Sequence, residues 1–533
     1  MKTSRRGHAV LVLATCVTLA LAAVWSGASN AVAARSKPIR SGVTAPRVRT
    51  GLENLERRVQ EFTLPNGLRF LVVERHEAPV FSYFTVVNAG SSDENIGTTG
   101  LAHMMEHMAF KGTRVIGTSD FAAEQPLLAA EEAAWQALFA ARQRAGRGDS
   151  TRLAGLEQGL TEAMKASNQY VVSNEMSRLI EEAGGQNLNA FTANDITAYF
   201  YSLPSNRLDF WGAMHAGGFV QPVFREFYKE RDVVFEERRM RVESSPVGRL
   251  VDEFIHASYV AHPYGFGGIG HPSDLKGFSR SQGEDFFRRY YVAKNMTIAV
   301  VGDVTLDEVK RVATRFFGAI SAAEPPLPPT TVEPEQRAER RVMIEEGSQP
   351  QILIGWKIPA ATDPSYAAYK ALADLLAGGN YSRLVKKFVK ERKSATTMQA
   401  FTGFPGEKYP NQMMLYVAPA AGQDPEALER EIYAELDTLE SHPFTAEEVA
   451  GYQVRMKAQK LGAVDANDRL AGELAQAQAL YGDWRQFFRE QERVQSLTPD
   501  ALMQALQSAA KRSRRTVAMI VNPAAGQAPA GGR

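Results

Sequence analysis

The chain has 533 residues, with 61 basic against 60 acidic side chains and a single cysteine. A net charge of +1 excludes a strong overall attraction to nucleic acid or to an anionic membrane surface, and one cysteine excludes a disulfide within the chain. A composition of 44% hydrophobic and 23% charged residues is typical of a globular protein, and the length favours two or more domains.

The first 33 residues have the pattern of a secretory signal peptide. Basic residues within 1–6 precede an almost wholly apolar stretch at 9–25, and small residues follow as far as Ala34. A basic start, an apolar middle and an A-x-A-like end are typical of export signals. We therefore expect cleavage after Ala33 or Ala34, loss of Cys16, and a periplasmic or secreted protein. The alternative is an uncleaved anchor, because the apolar stretch is near the lower limit for a membrane span.

The first half alternates strand and helix patterns. A flexible, polar lead-in is expected at 34–54, and then a strand pattern over 59–87 is broken by the turn Pro65-Asn66-Gly67. Helices are predicted at 100–110, 225–242 and 305–316, with a buried strand at 296–301. The stretch 119–180, rich in Ala, Glu, Gln and Leu and broken at 146–150, predicts a helical hairpin.

A Pro-rich segment at 321–337 is the best linker candidate in the chain. Its run Glu324-Pro325-Pro326-Leu327-Pro328-Pro329 predicts a stiff, extended linker that holds two bodies apart. Beyond it, a strand is predicted at 351–356 and a helix at 366–376, and the apolar run at 516–523 echoes that at 297–303. The echo predicts two similar halves, 55–320 and 338–525. A disordered tail is expected at 526–533.

The strongest chemical signal is the run from His103 to His107, which has the pattern H-x-x-E-H with Glu106 as its acidic residue. On a helix, residues i, i+3 and i+4 share a face, so the two imidazoles can bind one metal ion. Imidazoles suit zinc, which lowers the pKa of bound water to about 7, and a nearby carboxylate can take its proton. The alternative is a solvated face with two spare histidines. The apolar flanks disfavour it, because buried histidines need partners.

A catalytic zinc site needs a third protein ligand, and the candidates lie at 229–239. Glu230 and Glu237 are seven residues apart and would point to nearly the same side of a helix, whereas Glu236 is rotated by about 100° from Glu237. The alternative for each of them is a charged helix face with i,i+4 ion pairs. Spacing alone does not select Glu237.

The chain resembles the pitrilysin/insulinase family of zinc metallopeptidases, and within it the mitochondrial-processing-peptidase-like branch. The resembling segments, in the family's order, are 100–113, 184–192, 230–237 and 262–265. The second half, which lacks H-x-x-E-H, resembles the family's non-catalytic domain more weakly, around 375–384. The implied fold is α+β: two homologous α/β domains, each a mainly antiparallel sheet packed with helices, with a helical hairpin insertion in the first at about 115–175.

The resemblance also implies the roles of the metal-site residues. It implies that one Zn²⁺ per chain is bound by His103, His107 and Glu237. Glu106 would be the general base that deprotonates the zinc-bound water, and Glu230 a second acidic residue that supports the site.

For substrate, the resemblance implies an edge strand at Asn189, Ala190 and Phe191 on which an extended peptide is laid. The alternatives are a turn residue for Asn189 and a core aromatic for Phe191. His262 is expected to be a structural loop residue. Arg383 has two open readings, substrate contact from the partner domain and a surface or helix-packing role.

One feature departs from the family. The third ligand usually lies about 70–80 residues beyond the motif, by resemblance rather than by a spacing rule, whereas His107 and Glu237 are 130 apart. The excess corresponds to the predicted hairpin. An inserted hairpin is compatible with an intact site if it projects from the surface, or it could cover the mouth of the substrate chamber.

The functional hypothesis is an exported zinc endopeptidase that hydrolyses peptides or unfolded polypeptides. The chain has two family-type domains whereas the family's closed chambers resemble four, so we expect a homodimer or a heterodimer with a related subunit. No nucleic acid partner is expected, and membrane attachment only if the signal segment stays uncleaved. The alternative is a peptide-binding or assembly subunit with little activity of its own, which the complete motif disfavours. A small-molecule lyase with the same motif is disfavoured by the duplicated half.

Overall fold

The computed structural model describes residues 51–144 and 150–523. The expected signal peptide at 1–33, most of the lead-in at 34–54 and the tail at 526–533 fall outside the described residues, as do residues 145–149. Across the described ranges, none of the helices combines the length and the apolar character that a bilayer crossing requires.

The first half is built on a six-stranded sheet. Its strands are β1 (Gln60–Thr63), β2 (Arg69–Glu74), β3 (Val80–Val87), β4 (Gln186–Thr192), β5 (Thr197–Pro204) and β6 (Met296–Gly302). The order across the sheet is β1-β2-β6-β3-β5-β4, and every neighbouring pair is antiparallel except β2 with β6. All residues of β6 are buried, as its continuous apolar run predicts.

The second half repeats this topology with five strands. They are β7 (Arg340–Glu345), β8 (Gln351–Ile358), β9 (Ala395–Phe404), β10 (Asn411–Pro419) and β11 (Arg515–Val521). The order is β7-β11-β8-β10-β9, and β7 with β11 is the parallel pair. Thus β11 takes the place that β6 has in the first sheet, as the sequence echo predicted. The predicted fold class, two homologous α/β domains with mainly antiparallel sheets, is confirmed.

Helices flank both sheets. Those of the first half are α1 (Gly51–Arg58), α2 (Leu101–Met108), α3 (Phe121–Arg144), α4 (Ser150–Asn168), α5 (Glu175–Glu182), α6 (Leu208–Val220), α7 (Phe227–Arg238), α8 (Pro246–Ser258), α9 (Pro272–Gly277), α10 (Arg280–Tyr290) and α11 (Leu306–Phe317). Those of the second half are α12 (Tyr366–Ala377), α13 (Pro425–Asp437), α14 (Ala446–Asp465), α15 (Asn467–Tyr481), α16 (Gln486–Gln495) and α17 (Pro499–Ala509). A π-helical turn, Arg239–Glu243, continues α7, so the helix predicted at 225–242 changes type near its end.

The expected flexible lead-in is wrong at its last four residues, because α1 begins at Gly51. Leu52 and Leu55 are buried in a cluster with Trp484 and Phe487. An isolated short helix is marginal in water, and burial of one apolar face stabilises it. The lead-in is therefore tied to the second half's helices at its end.

The two halves share a core. Leu470 and Leu474 of α15 are fully buried in the cluster that contains Phe84 and Val86 of β3. A helix from the second half thus covers one face of the first sheet. Both sheets belong to one compact unit that begins at Gly51.

The Pro-rich segment at 321–337 also contacts both halves, so the expectation that it holds them apart is wrong. The carboxylate of Glu333 accepts hydrogen bonds from the backbone N–H groups of Val260, Ala261 and His262. Gln336 donates to the carbonyl of Arg515 at 2.7 Å. Backbone N–H groups in the loop that follows a helix need acceptors, and the segment supplies one.

The predicted hairpin is present as α3 and α4, which pack against each other; we call this pair the insertion hairpin. Thr118 and Val171 form an antiparallel bridge at its base, so the chain leaves and rejoins the domain at one point. The helical stretch predicted to 180 ends at Asn168, because a turn with Asn174 in the left-handed region (φ 56°) separates α5.

Candidate active site

Helix α2 is fixed at its first turn by buried polar contacts. Gly100 precedes it with φ 98°, and a Cβ there would lie 2.5 Å from the carbonyl oxygen of Ile269. The carboxylate of Glu94 accepts the N–H groups of Gly100 at 2.7 Å and Ala102 at 2.6 Å, which satisfies donors that a helix start leaves free. Burial raises the pKa of Glu94 to about 8. Sequence reasoning missed Glu94, which has no motif.

The two histidines of the motif lie on the same face of α2, as predicted. All eight residues of α2 are buried, and the rings of His103 and His107 are 4.8 Å apart between centroids. Burial, with the neighbouring His107, lowers the pKa of His103 to about 3. His103 therefore presents a neutral nitrogen, the form that binds metals.

Helix α7 brings a carboxylate to both imidazoles. Glu237 Oε1 lies 3.7 Å from His103 Nε2, and Glu237 Oε2 lies 3.4 Å from His107 Nε2. Ligand atoms of the three residues all fall within 4.8 Å of one another. The side chain of Glu236 is 57% exposed and that of Glu237 only 6%. The geometry thus brings Glu237, and not Glu236, to the two imidazoles.

The donor set fits a divalent cation. Neither His107 Nε2 nor Glu237 Oε2 has a hydrogen-bond partner in the ranges that the structure describes, although both are buried. Burial acts to lower the pKa of His107, but its contacts with Glu230 and Glu237 raise it to about 9. Two imidazoles with one carboxylate are a known ligand set for zinc.

Glu230 supports the site from behind His107. Its Oε1 lies 3.0 Å from His107 Nδ1, so Nδ1–H donates to it and Nε2 is left to face Glu237. Burial acts to raise the pKa of Glu230, but His107 and Lys111 lower it to about 2. Lys111 Nζ lies 2.6 Å from Glu230 Oε2. Both predicted acidic positions on α7 therefore face His107, as their seven-residue spacing indicated.

Glu106 lies beside the candidate ligands His107 and Glu237. It is buried, and among the described residues nothing forms a hydrogen bond with its Oε2. Burial raises its pKa, which His107 and the Thr192 hydroxyl oppose. A buried carboxylate with one free oxygen beside a candidate metal site is arranged to accept and release a proton.

Two cations at the site were missed by sequence reasoning. Arg241 Nη1 lies 2.7 Å from Glu237 Oε1, and the π-helical turn carries it; π-turns are frequent at functional sites. Lys111, described above, is the other. Each stands four residues after a candidate ligand, a spacing that could have identified it.

The predicted substrate strand is the edge strand β4. It pairs with β5 on one side, with Asn189 opposite Phe200, Ala190 opposite Tyr199 and Phe191 opposite Ala198. Within the described part of the chain, no other strand lies along its outer edge. Asn189 is thus in a strand rather than a turn, and Phe191 packs against Phe84 and Phe200. Thr192, the last residue of β4, lies beside Glu106.

Two further residues have structural contacts. His262 accepts a hydrogen bond from the N–H of Tyr264 and packs against Tyr409, which confirms a loop role. Arg383 binds Glu448 through two nitrogens and the carbonyls of His442 and Pro443. These are the contacts that the helix-packing alternative for Arg383 expects.

A buried pair of histidines with one glutamate as candidate ligands, and a second glutamate beside them, is the residue set of mononuclear zinc hydrolase sites with the H-x-x-E-H motif. The model of the insulinase family (peptidase family M16) matches residues 69–128 and 160–266, and that of the peptidase M16 inactive domain matches 277–456. Together they match more than half of the chain. The chain belongs to the insulinase family, peptidase M16.

Relatives and solved structures agree with this assignment. The chain is 27% identical over 424 residues to the zinc protease PqqE of Helicobacter pylori, covering 78% of this chain and 82% of that protein. A crystal structure of a protease from Helicobacter pylori has a TM-score of 0.72 at 24% identity, over 87% of this chain and 99% of that one.

The chain corresponds in fold to part of a longer protease. The structure of the periplasmic protease PqqL from Escherichia coli has a TM-score of 0.64 at 19% identity. The match covers 87% of this chain but 48% of PqqL. The fold described here thus corresponds to about half of that longer chain.

Proposed function

We propose that this protein is a zinc-dependent endopeptidase that hydrolyses peptides or unfolded polypeptides. The observation that carries the proposal is the convergence of His103, His107 and Glu237 beside Glu106, whose Oε2 has no hydrogen-bond partner among the described residues. The names of its relatives, which are zinc proteases, support the same reaction class.

The ligands proposed for zinc are His103, His107 and Glu237. Zinc held there would polarise the scissile carbonyl and lower the pKa of a bound water to about 7. Glu106 would accept the proton of the attacking water and pass it to the leaving amine. Glu230 would hold the ring of His107 through Nδ1, with Lys111 keeping Glu230 charged.

The peptide substrate is proposed to add to the free edge of β4, at Asn189, Ala190 and Phe191. Pairing with a strand edge uses backbone hydrogen bonds, so it gives affinity without close reading of side chains. The end of β4 at Thr192 would bring the scissile bond toward Glu106.

The protein is proposed to be exported and to act as a homodimer or with a related subunit. Correspondence to half of PqqL, a periplasmic protease, supports both parts of this proposal. Size-exclusion chromatography with light scattering checks the assembly, and a fully active monomer would contradict it.

The test is metal analysis with peptide cleavage, on the native protein and on Glu106→Gln. We expect one zinc per chain in both, and a fall in kcat of about 10²–10⁴-fold in the variant, the range of a lost general base. Glu236→Gln, which changes an exposed carboxylate on the ligand helix, is the matched control. Equal cleavage by native protein and Glu106→Gln would refute the mechanism. Peptide binding without cleavage by the native protein would favour the assembly-subunit alternative.

A further inference from the structure

The insertion hairpin contacts the helix that carries Glu237. The family match omits residues 129–159, which lie in the hairpin, so this packing is a property of this chain rather than of the matched segments. We call four of the residues at this contact the brace cluster: Glu132 and Trp135 of α3, and Tyr228 and Arg231 of α7.

Trp135 is the centre of the brace cluster. It is 1% exposed. Its ring lies 5.1 Å from that of Tyr228, and the guanidinium carbon of Arg231 lies 4.0 Å from its centroid. An arginine over a tryptophan face is attracted by the ring's negative face, more strongly when water is excluded.

The burial of the Arg231 guanidinium depends on the Trp135 ring. It is 8% exposed, and its nearest carboxylate, Asp232, is 3.6 Å away on a side chain that is 74% exposed. In the described ranges, Arg231 Nη1 has no hydrogen-bond partner. The Trp135 and Tyr228 rings therefore supply much of the compensation for burying this charge.

Glu132 ties the same helix to a third element. It accepts the hydroxyl of Tyr228 at 2.5 Å and, at 3.4 Å, the N–H of Ser281 in α10. The hydroxyl of Tyr228 in turn accepts the N–H of Arg280 at 3.4 Å. Helix α7 is thus fixed against both α3 and α10.

The brace cluster and the metal site lie on opposite sides of α7. At about 100° per residue, Tyr228 and Arg231 lie more than 90° around the helix from Glu230 and Glu237. A small rotation of α7 about its own axis would move the Glu237 carboxylate away from both imidazoles. Ligand groups must be held within about 0.5 Å of the productive geometry, by packing of the residues behind them.

We propose that Trp135 and Glu132 are positioning residues for the metal ligand Glu237, and that the insertion hairpin braces the ligand helix. On this proposal the hairpin does more than project from the surface, and it does not have to cover the substrate site. The inference rests on the proposed zinc site but not on the identity of the substrate.

The test compares zinc affinity in Trp135→Ala, Trp135→Phe and Glu132→Ala, each measured by competition with a chelator after metal removal. We expect affinity to fall about 10–100-fold in Trp135→Ala, the range for losing a group that orients a ligand. Trp135→Phe keeps an aromatic face and should recover most of the affinity. In cleavage, kcat should fall with little change in KM, because the substrate strand is untouched.

Glu157→Ala is the matched control for Glu132→Ala. Glu157 is also in the insertion hairpin, but it pairs with Arg142 at the surface. It should keep native zinc affinity. Thermal unfolding of the metal-free variants separates stability from positioning. A lowered Tm with native zinc affinity in both Trp135→Ala and Glu132→Ala would overturn the proposal.

If Trp135→Ala does not fold, the zinc affinities of Glu132→Ala and Glu157→Ala still test the proposal. The proposed peptidase function is tested separately, on the native protein. Zinc binding without peptide cleavage would refute the peptidase proposal and leave the brace intact.

Discussion

Helices α2 and α12 occupy the same place in the two homologous sheets and have opposite chemistry. Each follows the strand that pairs antiparallel with the last strand of its half, β3 beside β6 or β8 beside β11, and precedes the edge strand, β4 or β9. α2 presents His103, Glu106 and His107, whereas α12 buries alanine, leucine and tyrosine side chains. The shared fold therefore positions a helix in each half, and a few side chains on one of the two helices supply the chemistry.

The buried carboxylates of the two halves differ in the same way. Glu429 is buried in the second half, where Arg341 donates to it through two nitrogens, at 2.5 and 2.9 Å. Glu106 is buried in the first half, and within the described residues its Oε2 has no such donor. A buried carboxylate with both oxygens paired is held by its partner, whereas one with a free oxygen is available for proton transfer.

The largest effect is expected from Glu237→Gln. An amide in place of the carboxylate removes one of three candidate ligands and its charge, so zinc affinity should fall by more than the roughly 100-fold that a lost outer partner costs. Cleavage should be lost with it. Equilibrium dialysis with metal analysis measures the affinity.

The neighbouring Glu236→Gln is the control, because it makes the same change on an exposed side chain of the same helix. Native zinc affinity in Glu237→Gln would contradict the assignment of Glu237 as a ligand.

Leu474→Ala tests whether the two halves unfold together or separately. Leu474 belongs to the second half but is fully buried against the first sheet. The cavity should cost about 2–5 kcal/mol of the free energy of unfolding. Urea unfolding followed by circular dichroism should show one transition, shifted to lower urea.

Leu461→Ala, the same change at a residue of α14 that is 37% exposed, should cost about 0.5 kcal/mol or less. Two separate transitions, with only one of them shifted, would mean that the halves fold independently despite their shared core.

Local periodicity explains what could be predicted from the sequence. The i, i+4 spacing of His103 and His107 and the seven-residue spacing of Glu230 and Glu237 each define one helix face, and the structure confirms both. The repeated apolar run at the end of each half likewise predicted equivalent strands.

Contacts between distant segments explain what could not be predicted. Trp135 on Arg231 and α15 across the first sheet join residues with no shared periodicity. Each depends on how whole elements pack, which a local pattern does not encode. The same limit led to the errors at the lead-in and at the Pro-rich segment.

Glu230→Gln should have an intermediate effect. The amide removes the negative charge that His107 Nδ1–H and Lys111 both contact. Zinc affinity should fall about 10–100-fold, with the metal still bound at saturating concentration. Chelator competition measures the affinity. Retained native affinity would restrict Glu230 to a structural role.

The smallest effect is expected from Arg383→Lys in the second half. A lysine cannot bind Glu448 through two nitrogens and reach the carbonyls of His442 and Pro443 as well. Because Arg383 is partly solvent-exposed, the free energy of unfolding should fall by only about 1 kcal/mol. Zinc affinity, kcat and KM should stay native, since these contacts pack α14 and not the site. A selective rise in KM would instead place Arg383 on the substrate, and the second half would then share in the chemistry that the comparison assigns to the first.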